Sequence, residues 1–272
     1  MKIEFCINKS GELIGGTLVR NQEVVEEMDK LTIPSIVEET DTNGRRSVTL
    51  VESIKDTFRV TFQRLYERGV RIIHKLIIED GIERIANGAF AGIDIEINTV
   101  YWPKTCNVIP QYCFSNSKIK SIVGIEEVEE IETAAFCGTL LKYFNWPSKC
   151  KEIPMECFWK CNRLEQIDGL EVIINIGDGA FQRSGIKTFL CPASVSVAEA
   201  SAFLEGCENL EGIRFEGTGI KDVDLEYFFF LKNIKKIDFS GLAAVNLINC
   251  SSPKGREVRD KVVLPYYVTE IN

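Results

Sequence analysis

Lys75-Leu-Ile-Ile-Glu-Asp-Gly-Ile82-Glu-Arg-Ile85-Ala-Asn-Gly-Ala-Phe90 is one unit of a repeat, and its apolar positions set the register for the rest of the chain. Its last two residues, a Phe behind a small side chain, recur at Cys113-Phe114, Ala135-Phe136, Cys157-Phe158, Ala180-Phe181 and Ala202-Phe203, and as Tyr227-Phe228. Counted from Phe90, the steps are 24, 22, 22, 23, 22 and 25 residues. A fixed period in the twenties marks units that cannot bury an apolar face alone and must stack on their neighbours.

Between anchors runs a second pattern, apolar-x-x-apolar: Ile73/Leu76, Ile97/Val100, Ile119/Ile122, Leu141/Phe144, Leu164/Ile167, Ile186/Phe189, Leu210/Ile213 and Ile234/Ile237. The second member opens a short strand, and alternation turns the position two further on inward as well: Ile78, Trp102, Gly124, Trp146, Gly169, Cys191, Phe215 and Phe239. Side by side, such strands make a parallel sheet.

A third apolar position falls five residues before the anchor at Ile85, Ile109, Ile131, Ile153, Ile176 and Val223, with Ala198, one residue beyond Val197, in the repeat of Phe203. The stretch from that residue to the Phe is too short for a long helix and is expected to form one turn of 3₁₀ or α-helix. Pro ends the strand at Trp102-Pro103, Trp146-Pro147 and Cys191-Pro192, and Gly does so at Gly124 and Gly169, so a 44-residue double repeat overlies the single one.

The expected architecture is an α/β repeat solenoid of leucine-rich-repeat type, with a parallel strand-face sheet, short 3₁₀ or helical turns opposite, and an irregular N-terminal cap. Residues 1–45 form that strand-rich cap, 46–240 the array of 22–25-residue repeats, and 241–272 a C-terminal cap with a partial repeat. In the first part Ile3–Ile7 and Leu31–Pro34 read as strands and Asn43-Gly44 as a turn. Val51 to Arg68 carries a helical apolar stripe, Cys250 to Asp260 reads as a polar loop, and Val262-Val263-Leu264 restarts the repeat as either a cap or a docking edge open to self-association.

Composition supports one continuous core, with 45% hydrophobic and 26% charged residues. A net charge of −8 without a basic stripe excludes ordinary nucleic-acid binding. No run of about 18 apolar residues exists, and Glu4 interrupts what would have to be a leader's apolar core, so the expectation is no membrane insertion and a cytoplasmic chain. The ten cysteines follow the repeat, as Cys106/Cys150 and Cys113/Cys157 do at 44-residue spacing. That suits small buried hydrophobes, with disulfides or oxidation-sensitive thiols as the other reading.

Catalytic chemistry has little to stand on. His74 is the sole histidine, Cys157-x-x-x-Cys161 lacks a second ligand pair, and Gly11 to Gly16 is a turn rather than a phosphate loop. The acidic run Glu126 to Glu132 is broken by Val128 and Ile131 at core positions and reads as a solvated rim. The expectation is a non-enzyme with no catalytic residue, metal or cofactor.

What remains is the outer side of the strands, where Tyr101, Tyr143, Asn145, Asp168, Leu190 and Arg214 are the candidate partner-binding residues. Interfaces favour Tyr and Arg as anchors, although Tyr also suits strands for its own sake.

Strand, Pro, Val-x-x-Ile, Ala-Phe and Cys in this order resemble the BspA-like leucine-rich repeats of bacterial surface proteins and large protist families, over roughly residues 46 to 240. The resemblance implies a non-enzymatic protein that binds a macromolecule. One form is a scaffold gripping a protein partner on its strand face. The other is a surface or secreted adhesin-like module for a host or matrix protein or glycan.

Overall fold

The computed structural model describes residues 3–7, 12–18, 26–40, 46–192, 203–217 and 220–271. The Asn43-Gly44 turn, Gly11, and the apolar positions Val197, Ala198 and Ala202 lie outside them. The chain divides into two compact units, Met1–Leu141 and Lys142–Asn272.

The first unit contains β1 (Ile3–Ile7), β2 (Leu13–Leu18), β3 (Glu27–Ile33), β4 (Ile36–Thr40), β5 (Arg46–Leu50), β6 (Ser53–Ile54), β7 (Ile72–Ile78), β8 (Arg84–Ile85), β9 (Glu96–Tyr101), β10 (Val108–Ile109), β11 (Ile122–Val123) and β12 (Glu130–Ile131). β3, β7, β9 and β11 are neighbours in one parallel sheet. Leu31 pairs with Leu76 and Leu76 with Val100, so side chains of one kind stack from coil to coil. The third apolar position builds a second set of short parallel pairings, Ile54 with Ile85 and Ile109 with Ile131. β1 and β2 form an antiparallel pair, as do β4 and β5.

The second unit repeats the plan with β13 (Tyr143–Asn145), β14 (Glu152–Ile153), β15 (Gln166–Asp168), β16 (Asn175–Ile176), β17 (Thr188–Cys191), β18 (Gly212–Glu216), β19 (Ile220–Asp224), β20 (Lys236–Gly241), β21 (Ala244–Ile248), β22 (Val262–Val263) and β23 (Tyr267–Ile271). β13 pairs with β15, and β17, β18, β20 and β22 form a four-stranded sheet. The second set here is β14 with β16, then β19, β21 and β23. Val262-Val263 thus does restart the repeat, pairing with Ile237 and Asp238 of β20.

The Phe anchors form the core. Phe90, Phe114 and Phe136 are fully buried and stack in parallel, with centroids 5.4 and 5.7 Å apart. Phe158 and Phe181 do the same at 5.5 Å in the second unit. Burial of each ring is worth about 2–3 kcal/mol before packing geometry adds to it.

Leu225–Phe228 forms the expected 3₁₀ turn, but before Phe90, Phe114, Phe136, Phe158 and Phe181 it is a pair of linked turns instead. The N–H of Ala89 bonds the Ala86 carbonyl and that of Ala91 the Gly88 carbonyl, each three residues back. The N–H groups between them, on Gly88, Phe90 and Gly92, donate to Gln111, Cys113 and Ser115 of the next coil. A continuous helix would use all of these donors internally and leave the coils unjoined. Alternation requires a left-handed residue two before and two after the Phe, and Gly88 and Gly92, Tyr112 and Asn116, and Glu156 and Lys160 all have φ between 54° and 65°.

The 44-residue alternation has a packing cause. Trp102 and Trp146 each donate the indole N–H to a carbonyl four residues on, Cys106 at 2.8 Å and Cys150 at 3.0 Å. In the next coil Gly124 and Gly169 have φ of 83°, and a Cβ on either would stand 2.8 Å from the Trp carbonyl oxygen. The left-handed backbone and the close carbonyl together require Gly behind each Trp.

Two helices differ from expectation. The stripe from Val51 to Arg68 splits, because Ile54 is already in β6 and only Arg59–Glu67 (α1) is α-helical, after a 3₁₀ turn at Asp56–Phe58. The expected polar loop contains α2 (Pro253–Arg259), started by Ser252, whose hydroxyl accepts from the Gly255 N–H. None of the ten cysteines is in a disulfide and nine are buried, with Cys6 exposed. Burial raises the Cys113 thiol well above its ordinary pKa and raises Cys106 and Cys207 as well, which keeps them unreactive.

Candidate functional site

Strand alternation sends every second side chain out of the coil, and parallel register lines these up into rows. In the first unit Thr32, Ile77, Tyr101 and Val123 form one such row across β3, β7, β9 and β11. Tyr101 and Val123 are exposed, and Ile77 and Thr32 are half-buried beside them. The adjoining row is polar, with Lys30, Lys75 and Thr99 in register.

In the second unit Tyr143 lies opposite Gln166, and Asn145 opposite Asp168. Tyr143 is 58% exposed. The Lys142 ammonium stands 5.2 Å from its ring centroid, and hydrogen bonding to the Tyr143 hydroxyl, ahead of the Glu165 charge, raises the Lys142 pKa. Gln166 donates its amide N–H to Asp168 Oδ1 at 2.7 Å. On the four-stranded sheet Leu190 is exposed opposite Arg214, whose guanidinium pairs with Glu216 at 3.0 Å.

The six candidate residues therefore divide between the two units: Tyr101 in the first, and Tyr143, Asn145, Asp168, Leu190 and Arg214 on the successive strands β13, β15, β17 and β18 of the second, where the Lys187 N–H donates to the Glu165 carbonyl. All six point outward from their strands.

Asp238 corrects the outward pattern. It follows Arg214 in register, yet it is buried, at 6% exposure. Lys236 Nζ donates to Oδ2 at 2.7 Å, and the Ser240 N–H and hydroxyl donate to Oδ1 at 2.9 and 2.6 Å. These donors, led by Lys236, hold the carboxyl at a pKa of about 2, so it is ionised and committed to the strand.

Another row is charged. One residue beyond the first apolar rung, Lys142 and Lys187 both pair with Glu165, at 3.5 and 2.8 Å, and Lys235 pairs with Glu211 at 2.9 Å. The signal was present in sequence as Lys, Glu, Lys, Glu, Lys at one repeat position.

His74 bonds the Asn98 amide at 2.8 Å and lies 3.3 Å from Glu27. In the acidic run, Glu132 accepts the Gln111 N–H and Glu129 accepts from Asn107, so both tie adjacent coils. Among the described residues no group of three His, Cys, Asp or Glu side chains is arranged to hold a metal ion, and no helix is long and apolar enough to cross a membrane.

The model of the BspA-type leucine-rich repeat region matches residues 53–165 and 153–252 in 6 copies. The chain belongs to the BspA-type leucine-rich repeat family. All six strand-face residues lie within the matched BspA-type region. Among solved structures, a leucine-rich cell-surface protein of Faecalibacterium prausnitzii A2-165 is 17% identical, with a TM-score of 0.55 over 98% of this chain and 70% of that one. A leucine-rich repeat protein of Bacteroides ovatus ATCC 8483 is 16% identical, with a TM-score of 0.47 over 100% of this chain and 89% of the other. The first likeness establishes a shared solenoid fold of stacked parallel strands. No curated protein matches the chain in sequence.

Proposed function

We propose that this chain is a non-enzymatic protein-binding module that grips a protein partner through the outer faces of its main strands. The observation that carries the reading is the row Ile77, Tyr101 and Val123, apolar and solvent-accessible on three consecutive parallel strands and flanked by Lys75 and Thr99. A strand face meant only for solvent has no need of a continuous apolar row, whereas anchors of this kind at the centre of a polar rim are how interfaces concentrate affinity.

Capture from the native cell would identify the partner, and purified components would then give affinities for Tyr101→Ala and Tyr143→Ala tested separately. At least one should weaken binding tenfold or more while the thermal midpoint stays within about 2 °C. Full affinity in both variants would place the interface elsewhere.

The Faecalibacterium relative is described as a cell-surface protein, which supports display of this chain at a surface or its secretion as an adhesin-like module. Nothing in the comparisons supports the cytoplasm expected from sequence. Labelling intact cells with a membrane-impermeant amine reagent tests display directly. Label on this protein favours the surface, and protection from label until lysis favours an intracellular scaffold.

A further inference from the structure

Corner length varies along the array. From the Phe anchor to the next apolar rung the chain takes 6 residues after Phe158, 5 after Phe181, 7 after Phe203 and 6 after Phe228. The short corner, Gln182-Arg183-Ser184-Gly185, is drawn in between its longer neighbours. Gly185 shows how tightly, because a Cβ there would meet the Asn162 carbonyl oxygen at 2.3 Å. The recess is a cleft of about 870 Å³, entirely within the second unit and away from the strand face. Its deepest lining groups are Ser184 and Cys207, at 4% and 3% exposure, with the hydroxyl and thiol 3.4 Å apart.

The exposed wall carries two cations, Arg183 and Lys232, two anions, Glu205 and Glu208, and the amides of Asn162, Asn209 and Asn233. Phe230 adds an aromatic ring that is 69% exposed. Balanced charge selects neither a polyanion nor a cation. Carboxylates, amides and guanidinium together offer both acceptors and donors, as a ligand rich in hydroxyls requires, and an exposed ring suits the C–H face of a pyranose. The volume lies within the range of ligand sites, and the open form admits a chain.

From this we propose that the cleft between Asn162 and Asn233 binds a neutral oligosaccharide, with Phe230 as the stacking platform and Arg183, Glu208 and Asn209 as hydrogen-bonding groups. Hydrogen bonds already hold part of the wall in shape: Gln182 donates to Glu205 at 2.9 Å and Asn233 to the Glu208 carbonyl at 2.5 Å.

Affinity electrophoresis of the full chain through gels containing xylan, mannan, β-glucan, glycogen or, as an acidic control, polygalacturonate tests the proposal. At least one neutral polysaccharide should retard the protein. Phe230→Ala and Arg183→Ala should each weaken that retardation tenfold or more, and Tyr143→Ala on the strand face should leave it unchanged. Phe230 is exposed, so its loss should not unfold the chain, and an unchanged thermal midpoint will confirm that. Retardation by polygalacturonate alone, retardation indifferent to both cleft variants, or no retardation in any gel would overturn it, as would binding of a peptide in the cleft that excludes the sugar.

Discussion

Gly124 and Gly169 set the alternation of bulky and bare coils through backbone conformation. Both hold φ at 83° and both would press a Cβ to 2.8 Å from a Trp carbonyl oxygen, which the strand pairing keeps in place. Gly124→Ala or Gly169→Ala should each cost about 1–3 kcal/mol, from the left-handed strain together with the displaced carbonyl. Gly212, within β18, is the control: a Cβ there meets only Thr188 Cγ2 at 3.7 Å and the Lys236 oxygen at 3.9 Å. Gly212→Ala should be neutral or slightly stabilising, because it restricts the unfolded chain. Urea-unfolding midpoints decide the matter, and equal losses at all three positions would refute the close-contact account.

At the level of the element, the strand rungs were legible because burial demands apolar residues at fixed offsets, and Leu76, Val100 and Ile213 stand where the offsets put them. The turns were less so. Tyr112, Glu156 and Arg183 adopt left-handed φ although their side chains do not favour it, because the inter-coil hydrogen bonds demand it. α2 hid in polar composition although Ser252-Pro253 is a start signal, and the ion row hid because charges say nothing about burial. Alternation alone would turn the Asp238 carboxylate outward, because it assumes a regular strand. β20 has one extra residue between its pairings of Asp238 with Arg214 and Gly241 with Glu216, and Ser240 folds back onto the carboxylate. With a folded pKa of about 2, below its unfolded value, Asp238 adds stability that is complete above about pH 4 and lost as pH falls towards 2. The contribution is about 1–2 kcal/mol once the solvent exposure of Lys236 is allowed for. Asp238→Asn should show that loss at pH 7 and a shallower decline in unfolding midpoint between pH 5 and pH 2 than the parent chain. Parallel decline of the two would mean that the carboxylate is not held as described.

Across the whole molecule, a coil touches chiefly the coils before and after it, so damage should spread by neighbours rather than everywhere at once. Phe114 is the place to test this in the first unit, lying between Phe90 at 5.4 Å and Phe136 at 5.7 Å with Trp102 at 5.9 Å. Phe114→Ala removes a fully buried ring and leaves a cavity that rigid strand ladders on either side cannot close, at a cost of about 3–5 kcal/mol. The amides nearest the gap, Phe90 donating to Cys113 and Phe114 donating to Ala135, should lose most of their protection from hydrogen exchange. Protection should recover with distance, so that the pairing of Phe5 with Gly16 in β1 and β2 exchanges as in the parent chain. A uniform loss throughout Met1–Leu141 would instead make that unit a single cooperative body, in which the period written in the sequence governs geometry without governing stability.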